Sequence, residues 1–261
     1  RIEAQNVATS GWDYTSTSSF ITLQFWVKSS VAQNFYGYLR TADGTSQRYA
    51  FETGSLTANT WTKITKTIPG NSNLQIDNNN ENGLEVVIIP FWGTDSTDSG
   101  VSLNAWGAFS SSTRTPDSTS TWYTTNDATF EITGVQLEVG SVATDFEHRS
   151  LAVEKKLCER YFKVFTAFSG IAAASGVFQA PLQYDMRAIP SGSLSTGNTA
   201  RITDSAFSDF EATSASITLY NTTATGVRIH VDGFSGLSTQ KPMTWLPSGT
   251  NQSDVHLGAE L

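Results

Sequence analysis

Apolar and polar residues alternate along most of the chain with the two-residue period of β-strands. The segment FITLQFWVKS, which begins at Phe20, places Ile21, Leu23, Phe25 and Val27 on one side and mainly polar residues on the other. We therefore predict a strand whose apolar side faces a core.

Similar patterns predict further strands in the first half of the chain: Asn34–Thr41, Gln47–Glu52, TWTKITKTIPG, GLEVVIIPFWG and Phe130–Val139. The Asp-Gly pair in ADGTS predicts a tight turn between the first two of these. Gly134 is expected to mark a bulge in the last. Residues 110–127 show no apolar pattern until Trp122, which predicts an exposed loop.

One segment, Leu151–Phe165, has helical spacing, with charged residues on its other faces. Ser150 precedes it as an N-cap residue. The apolar positions of this predicted helix are Leu151, Leu157, Tyr161, Val164 and Phe165. Cys158, the only cysteine, lies in this segment and is expected to be a buried structural thiol.

Strand patterns resume after this segment, in SGVFQAPLQYDMRAIPSGSLS, SDFEATSASITLYNTT, GVRIHVDGFSG and SDVHLGAEL. The fold class predicted from the pattern is therefore all-β. We expect a β domain over residues 1–148, a connecting α-helix over residues 149–165 and a smaller distal β domain over residues 166–261.

Composition excludes several classes of function. A net charge of −8 argues against a positively charged surface for nucleic acid. No apolar run is long enough for a membrane span, so membrane insertion is not expected. The chain starts at Arg1 without methionine, from which we expect it to be an excised piece of a longer polypeptide.

The segment FEITGVQLEVGSVATDFEHRS concentrates ionisable side chains, and two interpretations are open. Glu131 and Glu138 offer paired carboxylates of the kind that glycoside cleavage needs. Alternatively the segment is a structural joint, in which Glu147 and Arg149 pair with each other or with a partner subunit. We favour the joint, because the two glutamates lie on a strand with an ordinary solvated face. The three histidines are not at metal-ligand spacing.

Several segments resemble a recurrent C-terminal region of phage tail proteins. They are ITLQFWVKSS, NTWTKITKTIPG, NAWGAF and above all FEITGVQLEVGSVATDFEHRS followed by EKKLCERYF; PLQYDMRAIPSGSLS and the terminal GAEL resemble the distal domain of such proteins. One departure is Asp145, where proline is common.

The resemblance implies a proximal jelly-roll β-sandwich, similar to carbohydrate-binding modules of the family 4/9 type, and a smaller distal β-sandwich. It implies an extracellular virion component, a tail fibre or tail-tip adhesin, with other tail proteins as partners. Fibres of this kind are typically homotrimers, so the predicted helix is expected to pack around a three-fold axis. No cofactor is expected. Jelly rolls of this type often hold a structural calcium, for which Asp95, Asp98 and Asp127 are the acidic loop residues available.

An adhesin would recognise sugars with aromatic side chains, because sugar rings stack on Trp and Tyr. The candidates, which are aromatics set among turn residues, are Trp12, Tyr14, Trp92, Trp122, Tyr123, Phe234 and Trp245. Trp26 and Trp61 lie within strand patterns and are expected in the core.

No nucleophile elbow or phosphate-binding loop occurs, so we expect a non-enzymatic protein. The favoured function is host attachment through cell-surface glycans. Two alternatives stay open: a structural or assembly module of the tail, and a carbohydrate-binding module of a secreted glycan-degrading enzyme.

Overall fold

The computed structural model describes residues 1–195, 199–246 and 253–259, and nearly all of its regular structure is β, as predicted. The terminal Glu260 and Leu261 of the GAEL segment lie outside these residues. The chain forms two units, Arg1–His148 and a second that begins at Arg149.

The first unit contains eight strands and two short helices. The strands are β1 (Ile2–Glu3), β2 (Phe20–Ser29), β3 (Asn34–Thr41), β4 (Gln47–Ser55), β5 (Thr62–Pro69), β6 (Asn82–Ile89), β7 (Trp106–Ala108) and β8 (Phe130–Val139). The helices are α1 (Ala4–Ala8) and α2 (Thr121–Thr124). They build a five-stranded sheet in the order β1-β6-β3-β4-β7 and a three-stranded sheet in the order β5-β2-β8, both antiparallel.

The two sheets share one core, which makes the first unit a β-sandwich. The alternation in β2 is confirmed: Leu23, Phe25 and Val27 are fully buried. They pack in one cluster with Leu39 and Phe51 of the opposite sheet. Burial of these apolar faces is the main force that holds the two sheets together.

The predicted bulge in β8 is confirmed. Gln24 pairs with Gln136, whereas Trp26 pairs with Thr133, so β8 has one more residue than β2 between these two pairs. Gly134 lies in this bulge with a φ of 59°, a left-handed conformation that glycine adopts without steric cost.

In its described residues, the second unit contains helix α3 (Leu151–Cys158) and ten strands. The strands are β9 (Phe162–Phe165), β10 (Phe168–Ala174), β11 (Val177–Gln183), β12 (Ser191–Leu194), β13 (Ala200–Asp204), β14 (Asp209–Ala212), β15 (Ser216–Tyr220), β16 (Gly226–Asp232), β17 (Pro242–Trp245) and β18 (Val255–Gly258). A seven-stranded sheet has the order β14-β13-β17-β10-β11-β16-β15, and a three-stranded sheet has the order β12-β18-β9. The core of the second unit contains fully buried side chains, among them Phe178, Ile202, Ile229, Trp245 and Leu257.

The predicted helix over residues 149–165 is wrong in its C-terminal half. Helix α3 starts where predicted, with the Ser150 side chain accepting a hydrogen bond from the Val153 N–H, but it ends at Cys158. Residues 162–165 instead form β9, which pairs along its whole length with β18. Val164 and Phe165 are therefore not helical, because pairing with β18 satisfies their backbone in an extended form, and Tyr161 lies in the turn before β9.

Helix α3 is exposed along its whole length, and this includes Leu151, Leu157 and Cys158. The prediction of a buried Cys158 is therefore wrong. Leu151 and Leu157 lie about 120° apart around the axis, because each residue turns an α-helix by about 100°. No helix in the described residues has the length and apolar character needed to cross a membrane.

Candidate functional site

Two side chains of β3 define the centre of the outer face of the five-stranded sheet. Leu39 points into the core, so Tyr38 and Arg40 on either side of it point outward. Tyr38 pairs with Val87 of β6, and Arg40 pairs with Glu85 of the same strand. Residues directly opposite in an antiparallel pair lie on the same face, so Glu85 flanks Arg40 on this surface.

The chain between β6 and α2 folds over part of this face. The Arg48 guanidinium of β4 donates a hydrogen bond to the carbonyl of Thr113, and the Asn104 N–H donates to the Ala50 carbonyl at 2.8 Å. Thr115 is fully buried. The prediction of an exposed loop over residues 110–127 is therefore wrong for residues 113–116, which are partly or fully buried, whereas residues 111–112 and most of residues 117–127 are exposed.

A cleft of about 420 Å³ lies on this face beside the covering chain. We call it the sheet-face cleft, and the side chains that matter most for its chemistry are Tyr38, Arg40, Glu85, Trp92, Phe109 and Arg114. Its size is within the range of small-molecule sites in proteins.

Cations lie against aromatic rings in the sheet-face cleft. The Cζ atom of Arg114 is 4.3 Å from the centroid of the Trp92 ring, and that of Arg40 is 4.1 Å from the centroid of Phe109. Such contacts are worth about 0.5–1 kcal/mol at exposed sites and more when desolvated. They fix both planar guanidinium groups in position.

Some polar atoms of the cleft have hydrogen-bond partners and others do not. Arg40 donates from Nε to Ser46 Oγ at 3.0 Å and lies 3.5 Å from Glu85 through Nη1 and Oε2. In contrast, Nε1 of Trp92 and Nε of Arg114 are buried and have no hydrogen-bond partner among the described residues.

Tyr38 is almost fully buried, and burial raises the pKa of its phenol above the ordinary value. The positive charges of Arg114 and Arg40 act in the opposite direction, whereas Glu85 adds to the increase. The Tyr38 hydroxyl therefore stays protonated at neutral pH and keeps its capacity to donate a hydrogen bond.

Of the predicted ligand-binding aromatics, Trp92 lines the sheet-face cleft. Tyr123 is 65% exposed and stacks on Phe91, with the ring centroids 4.4 Å apart. Phe91 directly precedes Trp92, so this stack adjoins the cleft along the chain.

Trp122 and Tyr14 are half-buried and support the core of the first unit. The Trp122 ring packs edge-on against Phe35 and Phe130, and its Nε1 donates to the Thr129 carbonyl at 3.1 Å. Tyr14 packs edge-on against Trp12. Contacts within the protein therefore occupy most of the surface of these two rings.

Three of the predicted ligand-binding aromatics are core residues, and the structure corrects their assignment. Trp12 is 3% exposed and Phe234 is 6% exposed. Trp245 is fully buried, stacked on Phe168 at a centroid distance of 5.4 Å, and donates from Nε1 to the Ser253 carbonyl at 3.1 Å. Their ring faces are not available to a sugar.

Conversely, two tryptophans expected in the core are exposed. Trp26 is 42% exposed and Trp61 is 40% exposed, on the outer face of the three-stranded sheet. Trp26 pairs with Lys63, so Trp61 is its diagonal neighbour across β2 and β5. The Lys28 Nζ atom lies 5.1 Å from the centroid of the Trp61 ring.

Hydrogen bonds from the acidic segment around β8 hold Thr144 against the outer face of the three-stranded sheet. The Glu138 carboxylate accepts hydrogen bonds from the Thr144 hydroxyl at 2.6 Å and from the Thr144 N–H at 2.9 Å. Gln24 donates to the Thr144 carbonyl at 2.7 Å. Glu131 pairs with Lys28 at 2.8 Å. The carboxylates of Glu131 and Glu138 thus both have partners within the protein. Arg149 lies 3.8 Å from Glu154.

Asp95, Asp98 and Asp127 do not form a cluster of acidic side chains. Within residues 1–195, 199–246 and 253–259, no group of three or more His, Cys, Asp or Glu side chains is arranged to hold a metal ion. Asp98 instead accepts a hydrogen bond from the Gly100 N–H at 2.7 Å.

A second cleft, of about 500 Å³, lies in the second unit and includes Phe162, Arg187 and Ile189 in its lining. The guanidinium of Arg187 donates to the Ala259 carbonyl at 3.2 Å, which directs it toward the backbone. Among these two clefts, the sheet-face cleft is therefore the better candidate for ligand binding.

Sequence alone did not single out Tyr38, Arg40, Phe109 and Arg114. For Tyr38 and Arg40 the sequence did indicate an outward direction, since they alternate with the apolar residues of β3. The sequence contained no such indication for Phe109 and Arg114, because they come from a segment without periodicity.

No family model matches the chain, and no curated protein matches it. A solved structure to which it is similar is discoidin II of Dictyostelium discoideum, at 9% identity, over 93% of this chain and 74% of that one, with a TM-score of 0.20. At this TM-score the likeness carries no argument about function.

Proposed function

We propose that this chain is a non-catalytic saccharide-binding module. The observation that carries the proposal is the sheet-face cleft, where Trp92 and Phe109 lie beside Tyr38 and two arginines. Aromatic rings stack on the apolar faces of sugars, and phenol and guanidinium groups donate hydrogen bonds to sugar oxygens. A few convergent polar groups among aromatics are typical of small-molecule sites.

The proposed setting is the tail fibre of a phage, where the module would bind glycans of the host cell surface from outside the cell. The resemblance of TGVQLEVG, FEHRS and CERY to phage tail proteins supports this setting. In this setting the chain would be part of a virion and would contact other tail proteins.

Assembly as a homotrimer is part of the same proposal. Its support is the apolar surface exposed at the start of the second unit, which includes Leu151, Val153, Leu157, Phe162 and Val164. Large contiguous apolar patches are typical of interaction surfaces, and we propose that assembly buries these side chains together. The surface combines helix α3 with β9, so the contact would not be a continuous coiled coil.

A glycan array carrying bacterial surface polysaccharides tests saccharide binding. We expect the protein to be retained by at least one polysaccharide and the variant Trp92→Ala to lose most of this retention. The matched control is Trp61→Ala, which removes a partly exposed tryptophan from the other sheet and should leave retention unchanged. Thermal unfolding of each variant shows whether it is folded.

The outcomes separate the alternatives. Retention that Trp61→Ala abolishes and Trp92→Ala preserves would move the site to the outer face of the three-stranded sheet. No retention by any polysaccharide would contradict the binding function and favour a structural role in the tail.

A further inference from the structure

Among the described residues, Arg114 has no counter-ion, in contrast to Arg40 at the centre of the same sheet-face cleft. No described carboxylate forms an ion pair with Arg114, and its Nε has no hydrogen-bond partner among the described residues. Arg40 is paired with Glu85, stacked on Phe109 and bonded to Ser46.

The charge of the cleft is opposite to that of the whole chain. Arg1, Arg40 and Arg114 line it together with one carboxylate, Glu85, although the chain carries a net charge of −8. Arg1 also pairs with Glu85, at 3.1 Å, so the two carboxylate oxygens are shared between two guanidinium groups. A local excess of positive charge attracts an anionic ligand and disfavours a cationic one.

The position of Arg114 is fixed before any ligand arrives. Its guanidinium lies against Trp92, which restricts the rotamers that a free arginine would sample. A planar guanidinium held in this way offers two parallel N–H donors, which match the two oxygens of a carboxylate. Three arginines against one carboxylate leave the cleft with two excess positive charges, and among the described residues Arg114 is the arginine of this cleft that forms no ion pair.

We propose that the sheet-face cleft binds an acidic saccharide, with the carboxylate of a uronic acid residue paired with Arg114 and the sugar ring against Trp92. The Tyr38 hydroxyl supplies a further hydrogen-bond donor to the same ligand. This inference rests on the proposed saccharide-binding function and adds the charge of the sugar to it.

The test uses a panel of oligosaccharides that contain glucuronic, galacturonic, mannuronic or guluronic acid, each beside the same oligosaccharide with its carboxylates reduced to alcohols. Isothermal titration calorimetry measures the dissociation constant of each for the full chain. We expect at least one acidic oligosaccharide to bind and its reduced counterpart to bind at least tenfold more weakly. Raising the salt concentration should weaken the acidic ligand selectively.

Two variants locate the effect at Arg114. Arg114→Gln keeps a long polar side chain but removes the charge, and we expect at least a tenfold loss of affinity for the acidic ligand. Arg114→Lys keeps the positive charge but lacks the planar guanidinium group, so it should retain only part of that affinity. The control Lys63→Gln removes one positive charge from the other sheet and should change nothing.

The outcomes separate the preference for acidic sugars from saccharide binding itself. Binding of reduced sugars that depends on Trp92 but not on Arg114 would overturn the acidic preference and leave saccharide binding intact. Binding only of sulfated or phosphorylated sugars, added as a third set, would overturn the carboxylate assignment. If acidic, neutral and sulfated or phosphorylated sugars all fail to bind, both proposals fail.

Discussion

Glu138 accepts hydrogen bonds from the Thr144 side chain and backbone, and these bonds lower the pKa of its carboxyl below the ordinary value. A lowered pKa in the folded state means that the ionised carboxylate stabilises the fold. This contribution is fully present above the pKa of the unfolded chain, and it is lost as the pH falls through the lower, folded value.

We therefore predict that Thr144→Val destabilises the first unit at pH 7 by about 1 kcal/mol, because one hydrogen bond to the carboxylate is lost. The difference from the parent protein should be smaller at pH 3 than at pH 7, because lowering the pH protonates Glu138 and removes the charge that the Thr144 hydroxyl stabilises. Urea unfolding at the two pH values measures it. Thr144→Ser, which keeps the hydroxyl, is the control, and an equal loss at both pH values would contradict the assignment.

Trp245 provides a second prediction at the residue scale, because its ring is fully buried against Phe168 and Phe178. Trp245→Ala should destabilise the second unit by about 3–5 kcal/mol, the usual cost of truncating a buried aromatic. Trp61→Ala is the control and should cost less, since Trp61 is 40% exposed. Chemical denaturation monitored by circular dichroism compares them, and a small effect at Trp245 would argue against its core position.

Residue type and local sequence predicted the wrong burial for Trp26 and Trp245. Trp26 alternates with Phe25 and Val27, so its outward direction followed from the strand pattern. Its exposure depends on whether another part of the chain covers that face, which periodicity does not encode. Trp245 sits in a proline-flanked segment that resembles a turn, yet β17 lies inside a seven-stranded sheet. Its burial results from pairing with distant strands.

At the scale of elements, strands were predictable and covering segments were not. The limits of β3 and β8 agree with the prediction because apolar and polar residues alternate along each strand, in β8 on both sides of the Gly134 bulge. Residues 110–120, directly before α2, show no alternation of apolar and polar residues, and their position depends on hydrogen bonds such as that from Arg48 to Thr113. Residues 162–165 became a strand because β18 offers a pairing partner about 90 residues away in the sequence.

The position of the covering segment predicts resistance to proteolysis. Arg114 is half-buried, its N–H donates to the Ser96 carbonyl at 2.9 Å, and the following Thr115 is fully buried. Trypsin should therefore cut the native protein after Arg114 much more slowly than after Lys156, which lies in the exposed helix α3. Mass spectrometry of a limited digest measures the order, and early cleavage after Arg114 would show that the segment does not stay on the sheet.

At the scale of the whole molecule, the division into β-rich halves was visible in the sequence, whereas the candidate site was not. Tyr38, Glu85, Trp92 and Arg114 converge only when β3 and β6 pair and the following chain folds over them. Sequence reasoning found Trp92 from its turn-like surroundings. The charge of the cleft carried no local signal, because it depends on which carboxylates lie near Arg40 and Arg114.

The exposed side chains of helix α3 lead to a prediction about assembly. If the chain is a trimer with this helix near a three-fold axis, burying Leu151 or Leu157 would supply about 1.5–3 kcal/mol per side chain. Sedimentation velocity at micromolar concentration should then give three times the mass of one chain. The variant Leu151→Lys with Leu157→Lys should dissociate it, because lysine charges would be desolvated at the contact.

Single variants identify the face that makes the contact, since Leu151 and Leu157 point in different directions around the axis of α3. We expect one of the two lysine substitutions to account for most of the dissociation. Lys155→Gln, which changes an exposed polar position of the same helix, should leave the trimer intact. A monomeric parent protein would contradict the trimer, whereas a trimer that survives both lysine substitutions would place the three-fold contact on residues outside α3.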